Sequence, residues 1–312
     1  MTLSVVIPLY NKGRSIGRAI LSVLAQTYRD FELIVVDDGS TDESLAIALS
    51  FSDPRIRVVR QRNAGVSAAR NFGIIEARSP YVCFLDADDE WMPDFLMEIT
   101  RLIEYRPAAS FYTCRYNEVD EAGRVFLGQS QLPDNFWGVI PDFFHTFRKS
   151  RSLACSSNIC VSKSLITKIG GFPLGIKTGE DLYVWIRLAL LGPVLHQSKV
   201  LVTVHRDAEN RTNTRPNPAP PFHLHYFLRF GEADLDQSVN TNPSLARYLL
   251  HSCLIFSAAS AVAGDRKLMR SYSQAASKVS RIHGLVIYIA SLLPRSAFLG
   301  LRALRNVFTT SR

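Results

Sequence analysis

Two aspartates two residues apart, Asp86 and Asp88, follow the short apolar run Tyr81–Leu85. In a turn, two such carboxylates can both approach one divalent cation. Hard oxygen ligands suit Mg2+ or Mn2+, whose remaining positions go to water and phosphate oxygens. A solvated turn would use the same residues, with Asp89 capping a helix over Trp91–Glu104. Asp37 and Asp38 follow a second apolar run, Glu32–Val36. A carboxylate there can accept the N3–H of a uracil, although Asp-Gly is also strong turn chemistry. Between Asn63 and Gly73, two glycines permit close backbone approach. Arg70 in the same stretch can clamp a phosphate or stack near a base, or it can lie on a helix surface. Asp181, in Gly179-Glu180-Asp181, can act as a general base or as a helix N-terminal carboxylate favoured by the macrodipole.

These residues need a scaffold, and the first ninety positions supply one. Four apolar, β-rich runs, Leu3–Leu9, Glu32–Val36, Ile56–Val59 and Tyr81–Leu85, alternate with helical patterns. The first helix shows Ile16, Ala19, Ile20, Val23 and Leu24 on one face. The second opens with a capping-box signature at Ser40 and Glu43, and the third covers Ala68–Ala77. Strand–helix–strand spacing implies parallel pairing, and runs that do not alternate imply burial on both faces. In such sheets ligands bind beyond the carboxyl ends of the strands. Those ends carry Tyr10-Asn11-Lys12, Asp37-Asp38-Gly39-Ser40, Gln61-Arg62-Asn63 and Asp86-Ala87-Asp88-Asp89.

Further along, Phe111–Phe147 reads as irregular, aromatic and turn-rich, and Tyr116–Ser157, which should shape the acceptor pocket, shows no readable pattern. A short strand is expected over Asn158–Val161. A helix over Asp181–Leu191 should turn Leu182, Trp185, Ile186, Ala189 and Leu190 inward, and a last strand should cover Leu201–Val204. The expected organisation is a domain over 1–215, a Pro-rich linker over 216–221 and a helical region over 222–312.

Net charge is +8 across 312 residues, and it is unevenly placed: no Asp or Glu follows Asp265, while nine Lys and Arg do. Aliphatic and aromatic residues from Ile282 to Phe308 alternate with these cations. A basic amphipathic tail of this kind suits an anionic membrane surface, and an ordinary packed helical subdomain is the alternative. No apolar stretch approaches the roughly 20 residues that span a bilayer. The five cysteines show no metal spacing and read as reduced thiols, and the amino terminus lacks a signal-peptide pattern. A cytoplasmic protein, peripheral on the inner membrane face, is expected. The cations sit on an apolar tail rather than in an aromatic-lined groove, so nucleic acid is not an expected partner. The missing G-x-G-x-x-G after the first strand speaks against a dehydrogenase.

Val6–Asn11, Gln26–Tyr28, Phe31–Asp42, Asn63-x-Gly65, Ala69-Arg70-Asn71-x-Gly73, Asp86-x-Asp88 and Gly179-Glu180-Asp181 occur in an order that resembles glycosyltransferase family 2. These are inverting enzymes of GT-A fold, an α/β architecture with a mostly parallel sheet flanked by helices. The resemblance covers about Leu3 to Arg206. It implies a nucleotide-diphosphate sugar donor, a UDP-sugar by analogy, and a saccharide or lipid-linked acceptor in surface-glycan synthesis. By resemblance, Asp38 binds the base, Pro8, Tyr10 and Asn11 lie against the nucleotide, and Arg70 lies near base and pyrophosphate. Asp86 and Asp88 hold Mn2+ or Mg2+, His205 is a further metal candidate, and Asp181 is the catalytic base. The chain lacks the Gln-x-x-Arg-Trp motif and transmembrane helices of processive members, which favours single sugar addition. A non-catalytic sugar-nucleotide or glycan-binding subunit on the same fold is the alternative.

Overall fold

The computed structural model describes residues 1–150, 153–207, 219–231 and 233–293. The chain divides into two units, Met1–Arg211 and Thr212–Arg312. Residues 216–218 of the expected linker, and the tail beyond 293, lie outside the described residues.

The first unit opens with β1 (Leu3–Leu9), α1 (Ile16–Leu24), β2 (Phe31–Asp37), α2 (Ser44–Leu49), β3 (Ile56–Arg60), α3 (Val66–Glu76) and β4 (Tyr81–Phe84). These four strands pair in parallel in the order β3-β2-β1-β4. Every residue of β1 is buried, because helices cover both faces of a crossover-connected sheet. Pro8 is tolerated in this central strand for a geometric reason. Leu9 O accepts from Asp38 N on the β2 side, and Val6 O accepts from Leu85 N on the β4 side. Alternation therefore turns the donor-less Pro8 toward β4, past the last paired residues Val6 and Phe84. The sheet parts there. Gly73 of α3 lies against β1 so closely that a Cβ would stand 2.3 Å from Val6 Cγ1.

Next come β5 (Glu90–Trp91), α4 (Phe95–Tyr105), β6 (Phe111–Val119), β7 (Val125–Leu127), β8 (Trp137–Val139), α5 (Phe143–Lys149), β9 (Ile159–Ser162), α6 (Lys163–Lys168), α7 (Glu180–Ala189) and β10 (Val194–His205). They extend the sheet to ten strands, ordered β3-β2-β1-β4-β9-β6-β10-β5, with β7 on β6 and β8 on β10. The expected α/β GT-A architecture is borne out. β9 enters antiparallel between β4 and β6, and β6 and β10 run parallel again.

Several local expectations are corrected. The stretch from Phe111, expected to be irregular, contains β6, a central strand. Its polar side chains hid it: Thr113 donates to Leu153 O at 2.7 Å, and Arg115 pairs with Asp134 at 2.8 Å. The helix expected from Trp91 starts at Phe95, because Glu90–Trp91 pairs with β10. Asp89 is therefore no cap. The Ser40–Glu43 capping box is absent: Ser44 N donates to Asp42 Oδ1, and Ser40 Oγ accepts from Asn11 N. On α7, Trp185 and Ile186 face inward as expected, but Tyr183, Val184 and Leu188 take the places given to Leu182, Ala189 and Leu190. α7 packs beside three aromatic rings, Phe84, Phe111 and Phe172, which widens its buried face. All five cysteines are unpaired and four are buried.

The second unit holds α8 (Phe222–Leu228), α9 (Gln237–Thr241), α10 (Pro243–Ala263), α11 (Arg266–Val279) and α12 (Arg281–Leu292). Its core includes Leu224, Phe227, Leu249, Cys253, Met269, Tyr272 and Ile287. α10 corrects one sequence expectation: at 21 residues it is long and apolar enough to cross a bilayer by length and composition, and half of that window is buried inside the protein.

Candidate active site

The ends of β1, β2, β3 and β4 meet through their own side chains. After β1, Asn11 takes a left-handed conformation (φ 49°), which asparagine tolerates better than most residues. Its Oδ1 accepts from Thr41 N at 2.8 Å, and its own N–H donates to Ser40 Oγ at 3.2 Å, tying the β1 loop to the β2 loop. Tyr10 beside it is exposed. Lys12 reaches across 76 residues to donate to Asp88 Oδ2 at 2.8 Å.

Asp38, after β2, is buried and accepts from Ala64 N (2.9 Å), Gly65 N (2.8 Å) and Gln61 Nε2 (2.7 Å). It holds the loop between β3 and α3 in place. A carboxylate offers about four acceptor positions, so room remains for one further donor. Gly65, at φ 90°, begins α3 in a conformation that other residues rarely adopt.

Arg70, one turn into α3, is 4% exposed. It donates to Asp86 Oδ1 at 2.8 Å, lies 3.5 Å from Glu180 Oε1, and has its guanidinium 5.2 Å from the Phe172 ring centre. One side chain thus joins the end of β4 to the start of α7. Asn71 fixes the approach: its amide exchanges two 2.8 Å hydrogen bonds with the backbone of Phe172. The turn before α7 is thereby fastened to α3.

Burial pushes Glu180 up to about 7, and the neighbouring Asp181 adds to the shift. Burial also raises Asp181, opposed by the positive charge of Arg70. One oxygen of Asp181 accepts from Leu182 N at 2.7 Å. Arg70 is held firmly charged by Asp86 and Glu180 against the cost of its burial.

Asp86 and Asp88 sit in the turn after β4, both partly accessible, with side-chain exposures of 33% and 18%. Asp89 is buried; Ser157 Oγ and His205 N donate to its two oxygens. Burial, then the charges of Asp88 and Asp86, raise its pKa well above the carboxylate range. His205 thus reaches this turn through its backbone. Its imidazole Nε2 lies 3.0 Å from Glu90 Oε1.

Among the described residues, no three Asp, Glu, His or Cys side chains gather as a metal cage. The pair Asp86 and Asp88 fits a cation of another kind. Mg2+ is commonly bound by one or two carboxylates together with substrate phosphates. Each carboxylate has one oxygen held by a cation of the chain, Arg70 or Lys12, which leaves the second oxygen of each for a metal. The Nε2 of His205 would join such a cation only by releasing Glu90, while its Nδ1 lies 4.0 Å from Asp207 Oδ1.

The structure brings together Pro8, Asn11, Asp38, Arg70, Asp86, Asp88 and Asp181. Lys12, Glu180, Ser157 and Phe172 complete the arrangement, and none of them was picked as a site residue from sequence. Lys12 and Glu180 stand directly beside predicted site residues, which was the available signal. Ser157 and Phe172 carried none.

Residues 4–164 match the family described as Glycosyl transferase family 2. This chain belongs to that family. Among similar proteins, an uncharacterized glycosyltransferase of Rickettsia conorii is 32% identical over 217 residues, covering 69% of this chain and 34% of that protein. Glycosyltransferase GlyA of Streptococcus pneumoniae is 31% identical over 210 residues, 64% of this chain and 30% of that one. This chain thus spans about a third of the length of these relatives. The fold resembles residues 1–349 of Staphylococcus aureus TarS, crystallised with UDP-GlcNAc, with a TM-score of 0.74 at 19% identity, covering 97% of this chain and 92% of that one.

Proposed function

We propose that this family 2 chain is an inverting glycosyltransferase that moves one sugar from a nucleoside diphosphate to an acceptor hydroxyl. The observation that carries the reading is Arg70, which joins Asp86 at the donor end to the Glu180–Asp181 turn at the acceptor end.

In this reading Asp38 accepts the N3–H of uracil at its remaining acceptor position, with Pro8, Tyr10 and Asn11 along the nucleotide. A UDP-sugar donor is supported by the UDP-GlcNAc held by the TarS crystal structure of the same fold. Asp86 and Asp88 would hold Mn2+ or Mg2+, and the cation would supply positive charge against the departing diphosphate. Arg70 and Lys12 supply further positive charge there, already oriented before the donor arrives. Asp181, beside them, takes the proton of the acceptor hydroxyl as its oxygen attacks the anomeric carbon. A raised pKa makes its carboxylate a better base. Attack opposite the diphosphate inverts the anomeric configuration. The acceptor is a saccharide or lipid-linked glycan in surface-glycan synthesis. The basic, apolar carboxyl-terminal region favours a site of action at the cytoplasmic membrane face.

The test is nucleoside-diphosphate release from a panel of sugar nucleotides, with and without Mn2+ or Mg2+, for wild type, Asp88→Ala and Asp181→Asn. Release with one donor, dependent on metal and lost in Asp88→Ala, is expected. Asp181→Asn should fold and bind donor yet lose at least about 100-fold in rate. Near-normal turnover by Asp181→Asn would remove the base assignment.

A further inference from the structure

α12 is built inside out. Its inward side carries Gly284, Ile287 and Ser291, two of them among the smallest residues, and its outward side carries the large aliphatics. Ile282, Leu285, Ile289 and Leu292 are 75%, 57%, 52% and 54% exposed, with Val286 and Leu293 exposed beside them. At about 100° per residue the five of these that lie on α12 fall within one stripe of the helix, and Leu293 follows as its extended C-cap.

The inward side explains the arrangement locally. Gly284 lets α12 approach α11 so closely that a Cβ would meet Ser277 Oγ at 1.8 Å, and Ser273 Oγ donates to Gly284 O at 2.8 Å. Small residues therefore do the packing within the unit. A stripe of five large aliphatic residues, with Leu293 just after it, is left for an apolar partner, since a contiguous patch of this kind is uncommon on a solvated surface.

Charge identifies that partner. Arg266, Lys267 and Arg270 are exposed on α11 and Arg281 is exposed at the start of α12, while no acidic residue follows Asp265. Cations exposed on the same helix pair as an aliphatic stripe complement an anionic lipid surface. A protein partner of the usual kind would be met by charges of both signs.

We propose that the outward face of α12 lies in the interface of an anionic bilayer, with the cations of the α11–α12 pair on the phosphates. This deepens the membrane-face reading given above and rests on it. Glycosyl transfer itself does not depend on it.

The test is co-sedimentation of the full chain with vesicles of phosphatidylglycerol and phosphatidylcholine, against phosphatidylcholine alone. Wild type should pellet with the anionic vesicles and weaken as salt rises. Leu285→Ser with Ile289→Ser should bind at least about tenfold more weakly. Because both side chains are exposed, that variant should keep its circular dichroism and its nucleotide release. Arg266→Gln with Lys267→Gln and Arg270→Gln should lose the preference for anionic lipid. Wild type left in the supernatant of both vesicles would overturn the proposal, as would equal binding by the serine variant. So would a dimer in sedimentation velocity that the serine variant dissolves, since the face would then belong to a second copy. Nucleotide release is read without vesicles and vesicle binding without donor, so failure of one reading is distinguishable from failure of the other.

Discussion

Glu180 and Asp181 lie at one helix start, and their neighbours treat them differently. Glu180 faces Arg70, whereas Asp181 uses one oxygen on Leu182 N. The Glu180 carboxyl, raised from 4.5 to about 7 by burial, has a signed consequence for stability. Between those values the folded chain keeps a proton that the unfolded chain has released, so stability falls as pH rises from about 4.5 to about 7. Glu180→Gln cannot titrate and should lack that decline. Urea midpoints at pH 5 and pH 8 should therefore fall more for wild type than for Glu180→Gln. Parallel changes in both proteins would show that Glu180 titrates normally. Arg70→Lys keeps the charge but cannot span two carboxylates as a planar fork. It should cut turnover by about 10-fold or more at saturating donor, since Arg70 acts on charge that develops in the transition state. An unchanged rate would place Arg70 outside the chemistry.

Among the elements, α3 does the most to assemble the site, through three consecutive needs. Gly65 starts it, Asn71 fastens the turn at Phe172, and Gly73 allows it to lie on β1. Gly73→Ala would place a methyl against buried Val6, and overpacking of this kind typically costs about 1–3 kcal/mol. Equilibrium denaturation should show a loss in that range, and Val6→Ala in the same chain should restore part of it. Asn71→Ala should behave differently. It leaves Phe172 N–H and C=O without their partners, and it should lower donor-dependent turnover as well as stability, because the Glu180–Asp181 turn follows from that segment. Loss of stability alone, with turnover intact, would separate the α3 anchor from catalysis.

At the scale of the molecule, two units each bury their own apolar side chains. A ligand that binds one folded unit stabilises that unit by mass action. Calorimetry is expected to resolve two transitions, and a nucleoside diphosphate with Mn2+ should raise only the one belonging to residues 1–211. Chelation of the metal should reverse that rise. A single transition, raised as a whole by the nucleotide, would mean that the units unfold together.

Local pattern and long-range geometry divided the information. The first four strands were legible because an unbroken apolar run reports burial on both faces without reference to any neighbour. Leu3–Leu9 is read from sequence to the residue. Asp38, Arg70, Asp86, Asp88 and Asp181 were legible as motif positions in a fixed order. β6 was not, since Thr113 and Arg115 look like loop residues until Leu153 and Asp134 arrive to satisfy them. Nor could sequence predict that Asp89 would be buried on Ser157 and His205 while its neighbours Asp86 and Asp88 stayed accessible. The pairings Lys12–Asp88 and Arg70–Glu180 span 76 and 110 residues. Strand order brings such partners together, and periodicity within one segment carries no record of strand order. The same holds for α12: its composition announced an amphipathic helix, but only the packing of Gly284 on Ser277 decided that the small residues turn inward and the large ones face out.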